Sequence, residues 1–290
     1  MSGSESFRRI VITPRDQQVV RLVYEIPLVT RGQLFELVFR ERVGSAAGQL
    51  AERNTSPTKA KDRLRAMVQY HFLDALPRRH VSESYRYYLS SRAVRGLQLL
   101  REMEPEQEIT PYRPLPSKLP HLVALTAIRV ALLLACRASG YQLEAWRSEY
   151  ELLAPLSPFG FLPDAFCRIG RTVDGVHQTA GFFIEAERSS KSTADLRAKI
   201  AKLGRFYYEH TDRYVAEFGT RSLRTLYLIT SDYGLNPTRH VERLATLCGQ
   251  ERVGFIRMTT LPAFLSCDPA ELFRAVIWRR SDEAGVCSLL

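Results

Sequence analysis

Apolar positions recur at helical spacing from the start of the chain. Val19, Val20, Leu22, Val23 and Ile26 follow Thr13 and Pro14. Threonine caps the free N–H groups of a helix, and proline is tolerated at its first position. Pro27 ends this first helix. Thr30 opens a shorter one in TRGQLFELVF, with Leu34, Leu37 and Val38 on one side, and a polar, Gly-containing stretch from Gly44 to Asn54 follows. Ser56 and Pro57 then start SPTKAKDRLRAMVQYHFL, in which Ala60, Leu64, Met67 and Val68 make the buried stripe. After it the period changes from helical to alternating. DALPRRH and SYRYYLSSRAV read as two short strands joined by a turn that holds Arg78, Arg79 and His80. A helix from Arg92 to Glu104 either packs back on this domain or mediates dimers.

Prolines and few apolar residues mark the stretch from Glu104 to Lys118 as a linker. The reading is therefore a domain over 10–104, a linker over 105–118 and a second domain over 119–280. In the second half, Leu122, Leu125, Ile128, Leu132 and Leu133 recur as in a buried helix that Gly140 ends. Three strand-like runs follow, YQLEAWRSEYEL, FLPDAFCRI and QTAGFFIEAER. A long helix from Ser192 to about Phe218, the strand LRTLYLIT, a helix from about Pro237 and the strand VGFIRMT complete the pattern. This order predicts an α/β fold, a mixed sheet with helices on both faces.

Charge sharpens the picture. The chain of 290 residues has 41 Lys and Arg against 31 Asp and Glu, a net charge of +10. Seven of those ten excess positive charges precede residue 119, so the first half is the better binder of polyanions. Its third helix carries Lys59, Lys61, Arg63 and Arg65 mostly off the apolar stripe, with Ser56 and Thr58 at its start. A recognition helix needs that layout, its back buried and its front and N-terminus offered to the major groove. The basic turn Arg78, Arg79 and His80 is then a wing, and double-stranded DNA the expected partner. The competing reading is a protein-interaction or dimerisation module whose basic residues only solvate its surface. A two-fold DNA site would imply a homodimer.

The apolar run around Leu122 to Leu134 is interrupted by Arg129 and reads as too short for a bilayer, and MSGSESFRR lacks a signal-peptide core. A cytoplasmic protein without a membrane partner is expected. Five cysteines are scattered with no CxxC pair, and the histidines show no metal-binding spacing.

The acids are more informative. Asp164 follows Pro163 on the second strand, and Glu185 and Glu187 lie two apart on the third, hence on one face. Glu149 is a fourth candidate from the first strand. Converging carboxylates repel unless a cation lies between them, and such oxygen ligands suit Mg²⁺ or Mn²⁺, which activate water for phosphodiester hydrolysis. Solvated acids at strand ends remain the alternative. Arg188 and Lys191, with the serines around them, form a polar turn suited to a phosphate or to ordinary helix capping. Phe206, Tyr207, Tyr208 and Tyr214 read as core or as a stacking surface for bases.

LPDAF, then FFIEAER about twenty residues on, then a long Lys- and aromatic-rich helix, preceded by a winged helix and WRSEYEL, resembles the replication-relaxation family of plasmid and mobile-element proteins. The resemblance runs from about Thr13 to about Leu265. It implies action in plasmid replication or DNA relaxation, with replication or mobile-element proteins as partners, and a second domain similar to the PD-(D/E)xK nuclease fold. By position, Asp164 and Glu185 would be metal ligands, while Glu187 stands where that fold expects Lys. Either Lys199 or Lys202 replaces the missing lysine, or Glu187 itself serves as ligand or base. Three functions stay open: a metal-dependent DNA nickase, a non-catalytic initiator or transcription regulator, and an adaptor for partner proteins.

Overall fold

The computed structural model describes residues 10–43, 51–78, 80–188, 192–230, 236–280 and 286–289. The chain divides into two compact units between Thr126 and Ala127. Arg79 and Lys191 lie outside the described residues.

In the first unit, α1 (Pro14–Glu25) starts at Thr13, whose hydroxyl accepts the Asp16 N–H while the Asp16 carboxylate accepts the Thr13 N–H at 2.8 Å. The strand β1 (Val29–Thr30) leads into α2 (Arg31–Leu34), which widens into a π-helical turn over Phe35–Phe39. The expected polar stretch holds part of an antiparallel pair, β2 (Arg40–Val43) with β3 (Ala51–Asn54). Next come α3 (Pro57–Gln69), β4 (Asp74–Leu76), β5 (Arg86–Tyr88) and α4 (Val94–Met103). β5 lies between β1 and β4, antiparallel to both. Val19, Val20, Val23, Leu34, Leu64 and Met67 are fully buried, so the apolar stripes of the three helices share one core. α4 approaches so closely that a Cβ on Gly96 would lie 2.0 Å from the Phe72 carbonyl oxygen.

Asp16, 1% exposed, is held from a second direction. Arg63 of α3 donates from Nε to Asp16 Oδ1 at 2.8 Å and from Nη2 to Oδ2, and also reaches the Val11 carbonyl at 2.6 Å. One carboxylate thus caps α1 and fixes α3 across it.

The second unit is built on a seven-stranded sheet of order β12-β11-β10-β9-β8-β7-β6. The helix α5 (Leu119–Ser139), which contains the division between units, precedes β6 (Gln142–Ser148). Then follow α6 (Glu149–Leu156), β7 (Ala165–Val173), β8 (Val176–Glu187), α7 (Thr193–Glu209), α8 (Thr211–Phe218) and β9 (Leu223–Ile229). α9 (Pro237–Gln250), β10 (Ile256–Thr260), α10 (Leu261–Ser266), β11 (Trp278–Arg279) and β12 (Val286–Cys287) complete the chain. β6, β7 and β8 form an antiparallel meander, and β9 runs parallel to β8. The α/β order expected from the sequence is therefore present.

Central β8 is buried on both faces along its C-terminal half. Phe183 packs with Phe166, Tyr227, Ile256 and Met258 against Leu196, Ile200 and Leu203 of α7 and Leu244 of α9. On the opposite face Cys167 is paired in register with Phe182 and lies near Cys136 of α5. All five cysteines are free.

Three expectations change. The helix expected from Ser192 to Phe218 breaks at His210, whose φ of −126° and ψ of 34° leave the helical region and separate α7 from α8. Glu149 is the first residue of α6 and not part of β6, because Ser148 and Glu151 form a capping box that ends the strand. α5 spans 21 residues and holds an 18-residue stretch of mean hydropathy 2.0, long and apolar enough to cross a bilayer. Its Ile128, Leu132 and Ala135 are fully buried, and the Arg129 guanidinium lies 5.3 Å over the Trp146 ring of β6.

Removing the Asp16 carboxylate in Asp16→Ala takes away a cap and leaves Arg63 without its partner. The unfolding free energy should fall by about 2–4 kcal/mol, read as a lower urea midpoint. Burial pushes the Asp16 pKa up, but the bonds from Arg63 and Thr13 outweigh it and hold it below the usual 3.8. This stabilisation is therefore present above about pH 4 and lost as pH falls through the folded-state pKa.

Candidate functional site

Two groups of residues carry the chemistry, one in each unit. In the first unit, the Ser56 side chain caps α3 by accepting the Lys59 N–H at 3.2 Å. Ala60, Leu64 and Met67 point inward, while Thr58, Lys61, Asp62, Arg65 and Gln69 form an exposed stripe on the opposite face, with Lys59 exposed beside it. Arg63, expected among the DNA contacts, instead binds Asp16. Its guanidinium is thereby committed to the join between α3 and α1. Arg78 and His80 are exposed in the β4–β5 connection, where Arg78 lies 4.6 Å over the Tyr85 ring and donates to the Val81 carbonyl at 3.0 Å.

In the second unit, Asp164 precedes β7 while Glu185 and Glu187 end β8. The β7–β8 register pairs Ala165 with Ile184, and one further step sets Asp164 opposite Glu185. Asp164 leaves the ladder there, and its Oδ2 accepts the Ala186 N–H at 2.7 Å in place of a backbone carbonyl. Glu185 and Glu187 are 2% and 3% exposed, so neither is a solvated strand-end acid. α7 supplies the compensating charge, with Lys199 Nζ donating to Glu185 Oε2 at 2.5 Å. Burial works against the ammonium, but Glu185 first and then Asp164 and Glu187 outweigh it and hold its pKa above the ordinary lysine value. α7 thus brings this lysine to Glu185, two residues before Glu187 on β8.

Lys202, one turn further along α7, lies instead against Gly160, where a Cβ would be 3.4 Å from its Nζ. Glu149 is exposed at the start of α6, whereas the other acids are sequestered. Arg188 follows β8 directly, and Ser192 caps α7 by accepting the Asp195 N–H at 3.1 Å. The aromatic residues of α7 and α8 serve mainly as core. Phe206 and Tyr214 are buried, and Tyr207 stacks on Phe255 at 4.0 Å with the rings 16° apart.

Tyr227 and Asp16 were not singled out by sequence. Tyr227 is paired in register with Glu185 and fully buried, and its hydroxyl has no hydrogen-bond partner among the described residues. Burial, then the charge of Glu185, raises its pKa well above 10. Nothing in LRTLYLIT distinguishes that tyrosine from a core residue. Asp16 did leave a signal, since Thr13 and an acid three residues later form a capping box.

Among the described residues, no group of three or more His, Cys, Asp or Glu side chains is gathered closely enough to hold a metal ion. A hydrated Mg²⁺ or Mn²⁺ needs only one or two carboxylates when water and phosphate complete its shell. Asp164 and Glu185 sit opposite each other across the strands, with Tyr227 in register with Glu185 on the next strand. Among the described residues, Asp164, Glu185, Glu187 and Glu149 do not come together as one set of four acids.

The replication-relaxation family model matches residues 20–220, a span that contains α3, both acidic strands and Lys199, and the chain belongs to this family. Membership points to a role in plasmid or mobile-element replication or relaxation. No curated protein and no solved structure matches the chain.

Replacing Lys199 by methionine leaves Glu185 buried without its cation, and the protein should lose about 3–5 kcal/mol of stability in a denaturant titration. Combining it with Glu185→Gln should restore much of that loss, because the pair and not the lysine stem is responsible. The pair's contribution is fully present below the unfolded lysine value of 10.5 and fades as pH rises through the higher folded value.

Proposed function

We propose that the protein binds double-stranded DNA through its first unit and acts in the replication or relaxation of a plasmid or mobile element. The observation that carries this reading is the two-sidedness of α3. Ala60, Leu64 and Met67 are fully buried while Thr58, Lys61 and Arg65 are exposed along the opposite face. The three helices with the β1-β5-β4 sheet and the exposed Arg78 and His80 supply the parts of a winged helix, with α3 in the major groove and the β4–β5 connection as the wing. Ser56 and Thr58 at the start of α3, with Lys59 beside them, would meet phosphate. The same reading has the protein act in the cytoplasm, as a homodimer where its DNA site is two-fold, and together with other replication or mobile-element proteins.

A second reading is favoured by the position of Lys199, namely metal-dependent nicking of DNA by the second unit. Asp164 and Glu185 would hold Mg²⁺ or Mn²⁺, which when bound supplies Lewis-acid stabilisation and an activated water. Lys199 takes the part of the lysine in the nuclease motif, donating its proton-bearing nitrogen toward the phosphate or the attacking water while Glu185 fixes its position. Glu185 first, with Asp164 and Glu187 adding to it, keeps the ammonium charged, and Arg188 would contact phosphate.

Fluorescence anisotropy with short duplexes tests the first reading. Lys61→Ala and Arg65→Ala should each weaken binding and, where the contact is phosphate, lower the log–log salt slope by about one. Equal affinity of both variants and the native chain would overturn it. Nicking of supercoiled plasmid with Mg²⁺ or Mn²⁺ tests the second. Asp164→Ala and Glu185→Ala should each lower the rate by about a hundredfold or more, and unchanged rates in both sink the site.

A further inference from the structure

A cavity of about 570 Å³ lies in the first unit between the end of α3 and the start of α4. Val68, Leu73 and Val94 supply its apolar lining, and His71, Asp74, Arg92 and Arg95 its polar one. Val94 is 60% exposed, although the next apolar residues of its helix, Leu97 and Leu100, are buried. α4 thus offers an aliphatic side chain to the cavity and not to its own core.

The walls are fixed by the backbone. His71 has a φ of 60°, and its carbonyl accepts the Arg95 N–H at 3.0 Å and the Gly96 N–H at 3.3 Å. These bonds tie α4 to the turn after α3 and engage the first N–H groups of the helix, so an anion arriving here meets side chains and not a helix end. Asp74, the acid of the lining, accepts the Ser90 hydroxyl at 2.6 Å and the Ala75 N–H at 2.8 Å. Arg92 and Arg95 are both exposed, and neither guanidinium makes a hydrogen bond or ion pair with a described residue. Two guanidiniums against one hydrogen-bonded carboxylate leave a positive excess.

Arginine is weakly hydrated, binds a carboxylate through two parallel bonds and is enriched at protein interfaces. A run of DNA phosphates would meet Asp74 and the apolar lining, whereas a carboxylate beside an aliphatic side chain matches both parts of the cavity. The volume falls within the roughly 300–1,000 Å³ of ordinary ligand sites. Walls that are already held in place lower the ordering cost of binding.

We propose that this cavity docks a short segment of a partner protein that carries an aliphatic side chain beside a carboxylate. Arg92 and Arg95 bind the carboxylate, and Val68, Leu73 and Val94 receive the aliphatic group. The proposal deepens the reading that the protein works with other replication or mobile-element proteins, and it does not depend on DNA binding.

Two labelled peptides serve as probes in fluorescence anisotropy with the full chain, one of alternating Glu and Leu and its counterpart with Gln for Glu. The acidic peptide should bind about tenfold or more tightly than the neutral one. Arg92→Gln and Arg95→Gln should each weaken the acidic peptide by about tenfold or more, the weight of one charge-assisted hydrogen bond. Val94→Asp, which places a carboxylate among the arginines, should abolish its binding. All three positions are exposed, so melting temperatures should hold, and Lys61→Ala should leave peptide affinity unchanged. Duplex anisotropy on the same proteins separates the readings. Peptide binding that needs both arginines in a chain that binds no duplex removes the DNA reading and keeps the docking site. An acidic peptide that fails to bind, or that binds the native chain and all three variants alike, overturns the docking site. If peptide binding is absent and either arginine variant lowers the duplex salt slope by about one, the arginines belong to DNA phosphate instead.

Discussion

A carboxylate buried at the end of a central strand needs a partner of opposite charge, and the second unit is arranged around meeting that need at Glu185. The strand must emerge from the sheet beside a helix that carries a lysine at the correct turn, which sets the position of α7. α7 in turn supplies Leu196, Ile200 and Leu203 to the core over Phe183 and Tyr227. The ion pair and the apolar layer are thus two rows of one helix. Shifting α7 by a residue would misplace both. Buried ion pairs add little net stability over an apolar substitute, so their value lies in specifying a unique arrangement and a charged site.

The first unit uses the same device at smaller scale. Asp16 is read locally as a helix cap, yet Arg63 comes from a different helix 47 residues away. That single contact turns a local signal into a tertiary one. It also takes Arg63 out of the basic surface and leaves the exposed stripe of α3 to Lys61 and Arg65. The composition of a helix therefore overstates the charge that it offers to a polyanion.

Much of the fold was legible in sequence because periodicity reports burial. The stripes of α1 and α3, the alternation before β5 and the order of strands in the second unit follow from which positions avoid water. The breaks were harder to read. His210 interrupts α7 and α8 through its backbone angles, with no proline or glycine to announce it. The capping box at Ser148 turned Glu149 from a strand residue into a helical one, since local hydrogen bonding overrode an alternating pattern. At the candidate site, the spacing of Glu185 and Glu187 fixed their shared face. The choice between Lys199 and Lys202 needed the placement of α7 against the sheet, which no single-chain pattern contains. Tyr227 was invisible for a related reason, because its environment comes from β8 and not from its own strand.

The length and hydropathy of α5 bear on how the protein is made. This helix leaves the ribosome before any strand of the seven-stranded sheet, so the apolar residues of its second part, after Thr126, have no sheet to pack on until β6, β7 and β8 are synthesised. During that interval the segment has the length and greasiness by which targeting machinery recognises a membrane anchor. Docking of the meander then covers Ile128, Leu132 and Ala135. A chain terminated after α5 would carry the same segment without the sheet that covers part of it.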